Sequence, residues 1–129
     1  MKQAGDSPGD KIMEVAERTG ALRFGKFRLS SGETSAYYFD GRLITLDPEG
    51  AYYVTRALLP MLIACDVGAI AGPTLGADPI VSAVAGTSYM EGHPIAGLIV
   101  RKEAKGHGGG RIIEGPIRPG SRVAIVDDA

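Results

Sequence analysis

Gly72–Pro73–Thr74–Leu75–Gly76–Ala77–Asp78–Pro79 stands between a short apolar run, Val67 to Ala71, and a second apolar set, Ile80, Val81, Val84 and Ala85. The first run is small and unbroken, the pattern of a strand buried on both faces. The second recurs at helical spacing, with Asp78 placed to cap a helix and Pro79 at its first position. Strand, glycine-rich turn and helix are followed by another apolar run, Ile95 to Val100. That alternation predicts an α/β fold with a parallel sheet flanked by helices. Further on, Arg111–Ile113 reads as a short strand, Pro116–Gly120 as a turn and Arg122–Val126 as a strand ending in Asp127–Asp128. Val123 to Val126 is uniformly small and apolar, which predicts an interior strand.

Toward the N-terminus the patterning changes. Residues 1–9 are polar and contain glycine and proline, a flexible start without an apolar signal segment. Asp10 to Thr19 predicts an amphipathic helix, with Ile12, Val15, Ala16 and Thr19 on one face and Gly20 as a left-handed stop. Lys26–Leu29 and Tyr37–Asp40 predict two strands around the turn Ser30–Ser31–Gly32. Asp47–Pro48 predicts a helix start, and the helix would turn Tyr53, Val54, Ala57, Leu58, Met61 and Leu62 inward. Pro60 predicts a kink or an early end. Residues 10–66 thus form an N-terminal helix, a hairpin and a second helix, and residues 67–129 a partial α/β core.

Composition narrows the function classes. At 129 residues, 44% hydrophobic and 22% charged, the chain is one globular domain with a usable core. A net charge of −1 gives no global attraction to nucleic acid or anionic lipid, so any anion site is local. No apolar run approaches the ~20 residues of a membrane span. The single cysteine, Cys65, cannot form an internal disulfide and points to a reducing, cytoplasmic compartment.

Four segments have chemistry within reach, each beside a plainer reading. Asp127–Asp128 closes a buried strand, where open α/β sheets bind ligands; paired carboxylates there suit Mg²⁺ or sugar hydroxyls, and the plainer reading is a polar turn. Arg101 to Gly110 holds Arg101, Lys102, Lys105 and His107 within seven positions, and four of its last five residues are glycine. A solvated charged loop is the usual meaning of such a run, but the glycines favour a mobile lid that closes over a polyphosphate. The turn Thr74, Leu75, Gly76, Ala77 can offer N–H groups to a phosphate at a helix start, or can simply pack strand against helix. It lacks Gly-Lys-Ser/Thr and is not a Walker A loop. Tyr37–Tyr38–Phe39 can stack on a planar base, although aromatics usually pack inward.

Taken in order, these segments resemble orotate phosphoribosyltransferase, of the type I phosphoribosyltransferase superfamily. The matching pieces are Phe24–Gly25–Lys26–Phe27, Leu29–Ser30–Ser31–Gly32, Tyr37–Tyr38–Phe39–Asp40, Gly72–Pro73–Thr74–Leu75–Gly76, Arg101–Lys102–Glu103–Ala104–Lys105–Gly106–His107–Gly108 and Val126–Asp127–Asp128. The lid stretch is the most specific of them, and the acid pair marks the superfamily. The resemblance implies an N-terminal hairpin hood over the sheet. It also implies transfer of a phosphoribosyl group from phosphoribosyl pyrophosphate to orotate with Mg²⁺ as cofactor. By similarity Arg101, Lys102, Lys105 and His107 serve the pyrophosphate, with Lys105 and His107 catalytic on a lid shared across a homodimer. Thr74, Leu75, Gly76 and Ala77 form the pyrophosphate turn, Asp127 and Asp128 hold the ribose hydroxyls, and Tyr38 and Phe39 flank the orotate ring. Some members carry lysines where this chain has Ser30 and Gly76, so no catalytic lysine is assigned at either position.

In the family the two acids are followed by a Thr/Gly-rich phosphate turn, a helix and an orotate-contacting arginine. The chain given is therefore expected to be C-terminally truncated and inactive by itself. Alternative readings are a non-catalytic phosphoribosyl-pyrophosphate-binding module, which usually carries an added DNA-binding segment, another type I phosphoribosyltransferase, and a receiver-like signalling domain. The last has its acids after an opening strand, whereas here they follow a late one.

Overall fold

The structure is a computed structural model that describes residues 5–104, 106 and 110–129. The elements are α1 (Pro8–Thr19), β1 (Leu22–Arg28), β2 (Thr34–Phe39), α2 (Arg42–Thr45), α3 (Pro48–Ala64), β3 (Ala69–Pro73), α4 (Asp78–Met90), β4 (Ala96–Val100), β5 (Ile113–Glu114) and β6 (Val123–Ile125). Helix α1 begins two residues before the sequence prediction, because Ser7 caps it: the Ser7 hydroxyl accepts from the Asp10 N–H at 3.1 Å, with Pro8 in the first turn. Strands β1 and β2 pair antiparallel from Leu22↔Phe39 to Arg28↔Thr34 and form a two-stranded sheet of their own, the expected hood.

Asp47 caps α3 as its sequence position predicts, accepting from the Gly50 N–H at 2.9 Å. The buried stripe of α3 is displaced from the predicted one. Thr55, Leu59 and Leu62 are buried, whereas Met61 is 64% exposed. The reason is that α3 packs between α1 and α4, so two neighbours set its inner face. Thr55 tolerates burial by donating its hydroxyl to the Ala51 carbonyl at 2.9 Å. Pro60 does not end the helix, which runs to Ala64. Pro60 lies on the exposed side, and the buried Leu59 and Leu62 hold the helix through it.

The main sheet has the order β5-β4-β3-β6. Strand β3 is parallel to β4 and to β6, and β5 runs antiparallel to β4. The sheet is thus mixed rather than wholly parallel. Among the described residues no helix lies between β4 and β5, and a return without a crossover helix yields an antiparallel pair. The predicted strand at Arg111–Ile113 is displaced to Ile113–Glu114. Strand β6 lies at an edge among the described residues, with Ile125 71% exposed, where its composition predicts an interior position. Helix α4 lies against β3 and β4 and packs Ile80, Val81 and Val84 with Leu59, Leu62 and Ile70. A second cluster of Val15, Ala16, Ala21 and Ile44 sits beneath the hood, and Val54 touches both. Among the described residues no helix is long and apolar enough to cross a membrane.

Candidate functional site

Because β3, β4 and β6 are parallel, their carboxyl ends share one edge of the sheet. From β3 the chain passes through α4 to β4 on one side, while β6 pairs on the other. The boundary between β3 and β6 is therefore a topological switch point, where open α/β sheets leave a crevice for ligands. Two predicted segments meet there, the turn after β3 and the acids after β6.

The turn is shaped by its own hydrogen bonds. Thr74 N–H donates to the Val100 carbonyl at 3.3 Å, Ala77 N–H to Pro73 at 3.1 Å and Asp78 N–H to Leu75 at 3.2 Å. The N–H groups of Leu75 and Gly76 have no acceptor among the described residues. Of the four predicted turn residues, Ala77 thus leaves the ligand-facing set: its N–H is taken and its methyl is fully buried in the core. The predicted cap also shifts by one, to Ala77, and among the described residues no side chain caps α4. Asp78 instead lies in the first turn, its carboxylate at 3.5 Å from the Thr74 hydroxyl, a long contact.

The acids sit directly against this turn. A Cβ at Gly76 would overlap the Asp128 carboxylate, and a Cβ at Gly41 would come within 2.6 Å of the Asp128 carbonyl oxygen. Asp128 is therefore held between the turn and the exit of the hood, and both positions need glycine for that approach. Asp127 accepts from the Asp128 N–H at 2.8 Å and is exposed, whereas Asp128 is half-buried. Both line a largely apolar cavity of about 340 Å³ with Phe39, Gly41, Ile44 and Ile80.

A second cavity, of about 670 Å³, opens at the ends of β3 and β4. Thr74, Asp78, Arg101, Lys102, Glu103 and Glu114 line it. Arg101 is fixed at the base of the loop, where its N–H donates to the Ile112 carbonyl at 2.7 Å and its guanidinium approaches Glu114 at 3.5 Å. Lys105 and His107 lie outside the described residues.

The hood separates the two predicted aromatics. Successive residues of a strand point to opposite faces. Phe39 lines the cavity that holds Asp127 and Asp128. Tyr38 belongs to the other face, with its ring centroid 5.8 Å from that of Phe27 and 5.0 Å from the Arg23 guanidinium carbon. The structure therefore places Phe39, Asp127 and Asp128 on one cavity, with Asp128 against Gly76 of the turn, and Thr74, Arg101 and Lys102 on a second, and it sends Tyr38 elsewhere. Sequence reasoning missed Gly41 and Glu114. The signal for Gly41 was a glycine directly after the aromatic strand. For Glu114 it was a charged residue at the return from a cationic loop.

No family model matches the chain. It is 52% identical over 111 residues to an orotate phosphoribosyltransferase of Synechocystis sp., covering 85% of this chain and 56% of that protein. It is 39% identical over 123 residues to the orotate phosphoribosyltransferase of Streptomyces avermitilis, covering 95% of this chain and 66% of that one. The fold is similar to orotate phosphoribosyltransferase of Mycobacterium tuberculosis in complex with 5-phospho-α-D-ribosyl 1-diphosphate, with a TM-score of 0.67 and 32% identity, covering 91% of this chain and 64% of that one. The same enzyme with Fe(III) dicitrate aligns with a TM-score of 0.72 at 35% identity. The chain spans between about half and two thirds of the length of these relatives.

Proposed function

This chain belongs to the orotate phosphoribosyltransferase family, and from that premise we propose that the protein carrying it transfers a phosphoribosyl group from phosphoribosyl pyrophosphate to orotate. The products are orotidine 5′-monophosphate and pyrophosphate, a step of pyrimidine nucleotide synthesis. The observation that supports this most is the seat of Asp128 against Gly76, beside two turn N–H groups without acceptors among the described residues, at the switch point of the sheet. A donor turn and a carboxylate in contact suit a molecule that carries a polyphosphate next to sugar hydroxyls.

In such a transfer charge gathers on the departing pyrophosphate, and no protein nucleophile is required. Donors fixed in advance around that group supply most of the acceleration. The N–H groups of Leu75 and Gly76 form one wall of its site, and Arg101 and Lys102 the other. Lys105 and His107 act from the loop between β4 and β5, which reaches the neighbouring subunit's site in a homodimer. Asp127 and Asp128 orient the ribose hydroxyls, and Phe39 lies beside the orotate ring. Mg²⁺, when bound, neutralises polyphosphate charge; it takes one or two carboxylates plus substrate phosphates, and the Asp127–Asp128 pair offers oxygens of that kind. Asp78 and Glu103 line the same cavity as Arg101 and Lys102, so a bare polyanion would meet repulsion there.

The test uses a protein of family length carrying this sequence, supplied with orotate, phosphoribosyl pyrophosphate and Mg²⁺. Orotidine 5′-monophosphate should form, with adenine, hypoxanthine and guanine left unused. Lys105→Ala should lower kcat ~100-fold or more, the usual effect of removing one fixed donor. Comparable turnover of a purine would reduce the assignment to the superfamily, and an unchanged kcat would remove Lys105 from the chemistry.

A further inference from the structure

Glu114 has no part in the family resemblance, yet it sits at the mouth of the charged cavity. Strand β5 places it opposite Ile99 of β4, next to the loop that carries Arg101. Its carboxylate is 3.5 Å from the Arg101 guanidinium, and both side chains are 39% exposed. A tight charge-assisted bond would measure about 2.7–2.9 Å. The pair is therefore loose and half-solvated, the kind that contributes little to stability and breaks readily. Among the described residues, the other held part of Arg101 is its backbone, through the Ile112 carbonyl. The side chain is thus free to leave Glu114 while its Cα stays in place.

We propose that Glu114 is a positioning residue that parks Arg101 at the cavity mouth and competes with pyrophosphate for its guanidinium. This rests on the reading of that cavity as the pyrophosphate site. An incoming polyphosphate carries more charge than one carboxylate and draws Arg101 away. Once the bond to the sugar is broken, Glu114 offers Arg101 an alternative partner and so favours release of the leaving group. Glu114 contacts neither substrate nor reacting atoms in this role; it acts through Arg101.

The experiment measures binding of inorganic pyrophosphate, with Mg²⁺ at low ionic strength, to the full chain and to E114Q, R101Q and the double variant. Glutamine keeps the shape of Glu114 and removes its charge, and circular dichroism checks that each variant retains its fold. E114Q should bind pyrophosphate about fivefold more tightly, the upper end for a half-exposed pair. In the R101Q background the same substitution should change affinity less than about 1.5-fold, because the partner through which it acts is gone. Unchanged or weaker binding by E114Q would overturn the inference while leaving the pyrophosphate reading intact. An equal gain in the R101Q background would also overturn it, since the carboxylate would then act on the ligand directly. If the unaltered chain bound pyrophosphate no better than R101Q does, the pyrophosphate reading itself would fail and this inference with it.

Discussion

The sheet and the hood present residues to the same crevice in opposite ways. The sheet does so from the end of a strand, where Asp127 and Asp128 follow β6 and both line one cavity. The hood does so from the face of a strand, where Tyr38 and Phe39 are equally adjacent in sequence and are sent to opposite sides. Beyond its last ladder bond a strand no longer imposes alternation, so neighbours can act together; within the ladder it does, so they cannot. Adjacency in sequence therefore means cooperation at a strand end and separation along a strand face. A motif read as letters treats the two pairs alike.

The largest expected effect tests the strand-end half of this contrast. Gly76→Val places branched carbons where the Asp128 carboxylate now lies, and the same turn carries the two N–H groups without an acceptor among the described residues. Donor wall and carboxylate are then disturbed together. In a protein of family length kcat/KM should fall beyond the ~100-fold typical of one lost donor. Circular dichroism and the melting temperature should show a retained fold, because the turn lies at the rim of the core. A variant within tenfold of the parent enzyme would mean that the turn and the acids do not work as a unit.

A smaller effect tests the strand-face half. Stacking of an aromatic side chain on a base contributes about 1–3 kcal/mol. Phe39→Ala should therefore raise KM for orotate by roughly tenfold or more with a smaller change in kcat. Tyr38→Ala should leave that KM within about threefold and lower the melting temperature instead, since Tyr38 packs with Phe27 and Arg23 on the far side of the hairpin. Equal effects of both substitutions on KM would show that the ladder does not hold in the working enzyme.

These outcomes bear on what the sequence could reveal. The glycine-rich turn after β3 and the acids after β6 were legible as positions on the fold because each is a local pattern within one short stretch. The α/β character was legible from the unbroken apolar runs, and Asp47–Pro48 announced α3 by its capping chemistry alone. Side-chain direction was less legible. Met61 and Thr55 changed places because two neighbouring helices, invisible in the chain of letters, set the inner face of α3. Ala77 was misread for a similar reason: its N–H is taken by Pro73 across the turn, which only the folded geometry decides. Gly41 and Glu114 were missed because their importance comes from partners 87 and 13 positions away, Asp128 and Arg101 (128 − 41 and 114 − 101).

The smallest expected effect concerns how the hood is attached. Arg18, in the last turn of α1, reaches Asp47 at 3.0 Å and Glu49 at 3.3 Å, at the start of α3. The Arg18 guanidinium and then the Gly50 N–H hold the Asp47 carboxyl below its ordinary value of 3.8. A carboxyl that is more acidic in the folded state contributes stability above its unfolded value and loses it as pH falls through the folded value. Arg18, shifted upward, stays charged throughout this range. Acidification from neutral should thus leave the α1–α3 latch intact until pH approaches about 4, and loosen it below. The Asp47 side chain is only 16% exposed, but Arg18 is 54% exposed, so the effect should be modest and should shrink in high salt. Asp47→Asn separates charge from cap, because asparagine caps a helix about as well as aspartate but offers Arg18 no charge. Melting temperatures recorded from pH 7 to pH 2, at low and high salt, should fall more steeply below pH 4 for the parent chain than for Asp47→Asn. The hood should respond before the sheet: hydrogen exchange in β1 and β2 should quicken at a pH where β3 and β4, held by Ile70 and Leu98 in the core, are still protected. Parallel pH curves for the two proteins would show that Arg18 gains nothing from the Asp47 charge. Simultaneous loss of protection in hairpin and sheet would show that the hood is not an independently attached part.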